Sequence, residues 1–332
     1  KALEEAFQYF CLEIEPQVRT WSDQLNRKFL KAPWLHELEN GTYGTMIKTI
    51  RKQTEIYREV NVPILAELSV LAQQYGVITG KMSIEVNGKE YTLQQAARFL
   101  MQDQRALREE VYHKIQERRG ADAVALDTLF DQLLQKRQQV AQQAGYANYR
   151  DYKFDELCRF DYTPADCERF HESVRKHILP LVDALYAYRK KQLGLETLRP
   201  WDLEAEREGI KPLEPFQDGH ELLEKSIQVF EKLHPYFGAC LQKMQALHQL
   251  DLESRKGKAP GGYNCPLAET GAPFIFMNAA GMADDVVTMM HEGGHAIHSF
   301  LCHALPLSAF KEYPMEMAEL ASMSMELFSM DY

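Results

Sequence analysis

Late in the chain, His291-Glu292-Gly293-Gly294-His295 places two imidazoles four residues apart with a carboxylate beside the first. On a helix, positions i and i+4 lie about 40° apart around the axis and one turn apart along it, so both rings can meet at one ion. Imidazole nitrogens suit zinc. Glu292, one residue on, cannot share that ligand geometry but can reach a water bound to the ion. Zinc lowers the pKa of such a water from about 16 to about 7, and a carboxylate can then take its proton. The chemistry implied is metal-assisted hydrolysis, with one Zn2+ per chain, His291 and His295 as ligands and Glu292 as the base.

The plain alternative is a pair of surface histidines on an amphipathic helix. Two features count against it. Val286, Val287, Met289, Met290, Ile297, Phe300 and Leu301 surround the motif on nearly all sides, so the helix reads as buried, and a buried glutamate needs partners. Gly293-Gly294 also costs about 1 kcal/mol per residue relative to alanine in a helix interior. Something has to approach that backbone closely.

A third ligand is needed to complete the centre. The extended pattern H-E-x-x-H-x-x-G-x-x-H calls for glycine at 298 and histidine at 301, where this chain has His298 and Leu301, so that class is excluded. His298 lies about 10 Å along the axis from His291, too far for all three rings to share one ion. It reads as a packed or supporting histidine, and His303 as ordinary. A carboxylate from a following helix remains, giving two histidines, one glutamate and an open position for water. Glu312, Glu316, Glu319 and Glu326 are the candidates. Glu319 and Glu326 share a face of the apolar segment Pro314 to Met330, and small residues flank Glu319. Spacing favours Glu319 without closing the other three.

These residues need a scaffold, and most of the sequence reads as helix. Apolar residues recur at three- and four-residue spacing over 1–31 and 43–75. Asn87-Gly88 signals a two-residue hairpin turn between 82–86 and 89–93, because both positions of a type I′ turn take positive φ. Thr92 and Gln95 form a capping box for a helix that carries Leu107, Val111 and Ile115 on one face. Another helix runs from about Asp122 to Gln143 with Leu126, Leu129, Leu133 and Val140 inward. Thr163-Pro164 starts the next, which reaches Leu179 before Pro180. The stretch 195–219 reads as the clearest linker, and a long helix covers about 220–250. A glycine-rich loop, 256–263, precedes a strand over 273–278, which begins at a proline and so is expected at a sheet edge. Asp284 and Asp285 fall in the first turn of the motif helix, where negative charge suits its dipole.

Composition sets the outer limits. The 332 residues are 45% hydrophobic and 26% charged, as in an ordinary globular protein, and no run approaches the roughly 18 apolar residues that span a bilayer. A net charge of −10 with interspersed signs argues against a nucleic-acid or membrane surface. Six cysteines without a C-x-x-C pair read as reduced, mostly buried thiols, which points to a cytoplasmic location.

With these motifs in hand, the region 251–326 resembles the zinc oligopeptidases that include thimet oligopeptidase and oligoendopeptidase F. Asp251-Leu252, Arg255 and Gly257-Lys258 are similar to the family's strand-and-loop segment. Pro273 to Asn278 is similar to the oligoendopeptidase strand before the active-site helix. Asp285-Val286, Thr288, His291-Glu292, Gly294-His295 and His298 follow the active-site pattern, and Ala318-Glu319, Ser322 and Glu326 match the next helix. The hairpin and Pro200-Trp201-Asp202-Leu203 are more loosely alike. The resemblance assigns Glu319 as third ligand and makes Glu326 a supporting residue behind a ligand. It implies a mainly α, two-lobed helical zinc-peptidase fold with a small β element beside the active-site helix. On that basis 1–105 is expected as an N-terminal helical lobe with the hairpin, and 106–332 as a partial catalytic domain. The implied activity is endopeptidase cleavage of short unstructured peptides, held by main-chain pairing with the strand near 273–278 in a channel between lobes. Family members continue past the third-ligand helix into a segment bearing His and Tyr, so the chain is expected to be a fragment, short at both ends. The competing reading is a non-catalytic scaffold with a structural zinc.

Overall fold

Proline decides where the long apolar periodicities break. The computed structural model describes residues 2–207 and 209–332; Lys1, read above as part of a helix, and Glu208, in the presumed linker, lie outside the described residues. Helix α1 (Ala2–Tyr9) passes through a π-helical turn, Phe10–Ile14, into α2 (Glu15–Leu30). Pro16 has no N–H and its ring crowds the carbonyl four residues back, and the widened turn just before it absorbs the mismatch. The short α3 (Leu35–Leu38) follows. The segment 43–75, with its helical spacing, forms two helices, α4 (Gly44–Ile56) and α5 (Val62–Thr79), because Tyr57 and Arg58 turn extended ahead of Pro63.

The hairpin forms as read. Strands β1 (Ser83–Val86) and β2 (Lys89–Thr92) pair antiparallel, with φ of 52° at Asn87 and 75° at Gly88. The Thr92 hydroxyl accepts from the Gln95 amide, and the Gln95 carboxamide accepts from the Thr92 amide, capping α6 (Leu93–Ala97). That helix stops after five residues. A 3-10 turn leads to a separate helix, α7 (Arg105–Ala121), whose Val111 and Ile115 bury against Ile84, Val86 and Ala96. Then come α8 (Ala123–Gln143), α9 (Tyr149–Glu156), α10 (Pro164–His177) and α11 (Leu179–Gln192), the last with Pro180 in its first turn.

The presumed linker is not loose. Asp202 in its 3-10 turn is fully buried, and Ala205 and Phe216 are buried too. Nor is 220–250 one helix: α12 (Gly219–Leu233) ends and α13 (Pro235–Ala246) begins around His234, since Pro235 can open a helix but not continue one. A three-stranded sheet follows, from β3 (Leu250–Glu253), β4 (Tyr263–Cys265) and β5 (Phe274–Ala279). Its order is β3-β5-β4, with β5 parallel to β3 and antiparallel to β4. The proline-led strand is therefore central and not at the edge. Pro273 sits just outside the ladder, whose first pair is Cys265 with Phe274, so its missing N–H removes no bond. The motif helix α14 (Ala283–His303) and α15 (Met315–Ser329) complete the chain's elements.

The chain is mainly α, and it clusters into two compact units. One holds the residues up to Tyr75 together with Ala123–His177, around Ile56, Ile64, Val140, Ala144 and Tyr152. The other is Gly76–Asp122 with Ile178–Tyr332. The expected boundary at 105/106 falls inside this second unit. The reason is that the hairpin packs with later residues: Thr92 Oγ1 lies 2.8 Å from Ser254 Oγ, and the Gln95 carboxamide donates to the Ser254 carbonyl at 3.1 Å. The main core of this unit is Phe230, Leu241, Met244, Ile275, Met277 and Met289, drawn from α12, α13, β5 and α14. No helix among the described residues is long and apolar enough to cross a membrane. The six cysteines are unpaired, but only Cys11 and Cys240 are buried, fewer than expected.

Candidate metal centre

Helix α14 is set by its first turn. Asp285 is buried and its carboxylate accepts from the amides of Ala280 and Met282, each at 2.8 Å, closing the turn onto the helix start. Its role is a specific cap more than a general dipole charge, and burial raises its pKa. Met289, Met290, Ala296 and Ile297 face the core, while Val287 and Leu301 face solvent, so the helix is buried on one side only.

The glycine pair has a steric cause. A Cβ on Gly293 would stand 2.5 Å from Phe230 Cζ, and one on Gly294 would stand 2.8 Å from Ser322 Cα and 3.0 Å from Met325 Cβ. Helices α12 and α15 thus press on α14 where any side chain would hold them off. Ser322, one of the small residues near Glu319, is the backbone contact that lets α15 approach.

That approach delivers Glu319. Its Oε2 lies 3.3 Å from His291 Nε2 and its Oε1 3.7 Å from His295 Nε2. One ligand atom from each of the three residues falls within 4.8 Å of the others. A tetrahedral zinc with ligands at about 2.0–2.2 Å sets ligand separations of about 3.3–3.6 Å, and the donor set of two imidazoles and a carboxylate fits it. His291 Nδ1 donates to Glu326 Oε1 at 2.6 Å, which aims the Nε2 lone pair at the centre. Glu312 and Glu316 are exposed and stand outside the cluster.

Glu292 is 6% exposed, and burial pushes its pKa up to about 7, with Glu319 adding to the rise and His291 opposing it. Its Oε2 is buried without a hydrogen-bond partner. Burial likewise lowers the pKa of His295. His298 does not join the cluster; its ring stacks on Tyr313, centroids 4.0 Å apart and planes at 20°, and burial lowers its pKa. His303 is exposed, with its ring beside Gly271.

Three contributors were given no role at the centre by the sequence reading. Tyr313 has no local signature. Gly262 lies against Glu292, where a Cβ would come 3.2 Å from Oε1; the adjacent glycines at 261 and 262 were a usable signal, of the same kind as Gly293-Gly294. Lys258 is buried, donating to the carbonyls of Asp251 and Glu253 at 2.9 and 3.0 Å and to Asp251 Oδ1 at 2.9 Å, with Phe276 4.4 Å below it. On β4, Tyr263 stacks on that same Phe276 ring at 4.9 Å.

An oligoendopeptidase F homologue of Lactococcus lactis subsp. lactis is 30% identical over 158 residues, 47% of this chain and 25% of that protein. One from Borreliella burgdorferi is 23% identical over 341 residues, 97% of this chain and 56% of that protein. Among solved structures, PZ peptidase A with a bound inhibitor superposes with a TM-score of 0.92 at 26% identity, covering 98% of this chain and 57% of the other. The matched part is thus a quarter of the first of these three proteins and little more than half of the other two. The model of peptidase family M3 matches residues 99–332, which include His291, His295, Glu319, Glu292 and the sheet beside them. The chain belongs to peptidase family M3.

Proposed function

We propose that this chain carries the zinc-dependent hydrolytic centre of an endopeptidase for short unstructured peptides, with His291, His295 and Glu319 as metal ligands and Glu292 as general base. The observation that carries the reading is the convergence of those three ligand atoms beside a buried carboxylate with one unpartnered oxygen. A zinc ion held there supplies a positive centre that acidifies a water and polarises a carbonyl. Glu292 Oε2 accepts the proton of the attacking water and returns it to the departing amine. Burial raises the pKa of Glu292, the direction that suits a group which must hold the proton before returning it. Glu326 holds His291 in the ligand tautomer.

The strand expected to pair with substrate needs correction, since β5 is covered on both sides. Lys258 lies over the Phe276 ring and bonds two carbonyls of β3, those of Asp251 and Glu253. The outer edge of β4, directly after Gly262, is the main-chain edge next to Glu292, and we assign sequence-tolerant substrate pairing to it. The scaffold alternative requires a fourth protein ligand, and among the described residues the cluster has three, which favours an open, water-bearing position.

The test is a comparison of Glu292→Gln with His291→Ala and His295→Ala in the full chain, using metal analysis and quenched peptides. Glu292→Gln keeps one zinc and loses about 10²–10⁴-fold in kcat, whereas both histidine variants lose the metal. Full zinc in either histidine variant removes the central claim.

A further inference from the structure

We infer that Asn278 is a positioning residue that fixes the pose of Glu292 through the backbone of the glycine loop, with Gly262 as the point of contact. The inference rests on Glu292 acting as the base proposed above. Gly262 is enclosed on three sides: a Cβ there would meet Glu292 Oε1 at 3.2 Å, the Phe276 carbonyl at 3.4 Å and Thr288 Cγ2 at 3.5 Å. One carboxylate oxygen therefore fills the space that a side chain at 262 would need, so the loop backbone bounds its position, while the other oxygen, unpartnered, is left for the proton. A larger residue at 262 displaces either the loop or the carboxylate.

Such a bound holds only if the loop cannot retreat, and this loop is fastened at successive residues. The Gly257 amide donates to the Gly80 carbonyl at 2.7 Å. Lys258 ties the loop's start to β3, as described. Nearest Gly262, the Asn278 side chain spends both of its N–H groups on the loop, donating to the carbonyls of Ala259 and Gly261 at 2.8 Å each. Gly261 sits at φ 96°, a conformation other residues rarely adopt, so the chain reverses between the two clamped carbonyls. Asn278 lies on the central strand β5, which is paired on both sides and gives the clamp a rigid base. Asparagine is the fitting residue here: its amide offers two donors from one nitrogen, which neither aspartate nor leucine can do.

The test uses the zinc-loaded full chain with glutamate labelled by ¹³C at the carboxyl carbon, the Glu292 resonance being the one lost in Glu292→Gln. Asn278→Asp, which keeps the shape but faces two carbonyls with a carboxylate, and Asn278→Ala are each measured for that resonance, zinc content, kcat and KM. The expected result is a shifted Glu292 resonance, unchanged zinc stoichiometry and a kcat about 10- to 100-fold lower, the scale of loss when a catalytic group is displaced by about 1 Å. Gly262→Ala shifts the same resonance and lowers kcat at least as far. An unmoved Glu292 resonance in both Asn278 variants overturns the inference whether or not the chain turns over peptide. So does a moved resonance with wild-type kcat. Wild-type turnover in Glu292→Gln would instead overturn the base assignment, and this inference with it.

Discussion

Two carboxylates buried in the second unit, Asp202 and Glu292, are held in opposite ways. Asp202 accepts four hydrogen bonds: from Arg105 Nε and Nη2 at 3.0 and 2.9 Å, from Arg108 Nη2 at 2.9 Å and from the Arg199 amide at 3.0 Å. Burial opposes its ionisation, but the hydrogen bonds from Arg105 and Arg108 outweigh it, and its pKa falls. Glu292 is nearly as buried, yet one of its oxygens has no partner and its pKa rises to about 7. A buried charge whose bonds are all made joins distant segments, here α7 and the 195–219 stretch. A buried charge with a bond left open costs stability unless chemistry uses it. Counting unmade bonds thus separates the structural carboxylate from the candidate catalytic one, although both are buried and acidic.

Removing each carboxylate should break or sharpen the contrast. Asp202→Ala leaves the Arg108 guanidinium buried without a counter-charge, and is expected to lower unfolding free energy by about 3–5 kcal/mol. Glu292→Gln is expected to unfold at the same or higher denaturant concentration than wild type. Urea titrations of the two variants side by side are the measurement. Equal destabilisation would mean that Glu292 is as much a structural charge as Asp202, and the distinction would collapse.

A smaller effect concerns Glu326, whose carboxylate is satisfied yet sits one bond behind the centre. Glu326→Ala is expected to weaken zinc binding about 10- to 100-fold, in line with the loss of a partner that orients a histidine ligand. Glu319→Ala should weaken it further. Competition with a chromogenic chelator ranks the two, and the reverse order would exchange their roles.

How far these sites could be read from sequence depended on the range of the interactions that make them. His291, Glu292 and His295 lie on one turn, so helix geometry alone brings them together. Asn87-Gly88 and the Thr92–Gln95 box are equally local. Glu319 came from spacing among four candidates and then from resemblance, because the loop between α14 and α15 carries no metric information. The π-helical turn before Pro16 and the helix breaks ahead of Pro63 and at Pro235 have their prolines in the sequence, but apolar periodicity continues across them and masked the signal. Asp202 was read as linker because its partners Arg105 and Arg108 are more than ninety residues earlier. Strand order had the same difficulty. Pro273 correctly marked the end of a ladder, but nothing local says which strands flank β5, and so nothing local gave Asn278 its place beside the glycine loop.

The smallest predicted effect tests a carboxylate of intermediate kind. Asp251 is partly exposed and well bonded, to Arg255 through Nη1 and Nη2 at 2.6 and 2.7 Å and to Lys258 at 2.9 Å. The Arg255 hydrogen bonds lead in lowering its pKa from 3.8 to about 2, with burial opposing and Lys258 assisting. A folded-state pKa below the unfolded one means the unfolded chain binds the proton more readily. The contribution is therefore complete above about pH 4 and is lost as pH falls through about 2. Arg255 is largely exposed, so solvent screening brings the stabilisation to about 1–2 kcal/mol. Unfolding free energy measured between pH 5 and pH 2 should fall less steeply in Asp251→Asn than in wild type, with the two curves converging at the acid end. A parallel pair of curves would show that Asp251 is no better bonded in the folded chain than in the unfolded one. The fastening of the glycine loop would then rest on Asn278 and the Lys258 bonds to backbone carbonyls.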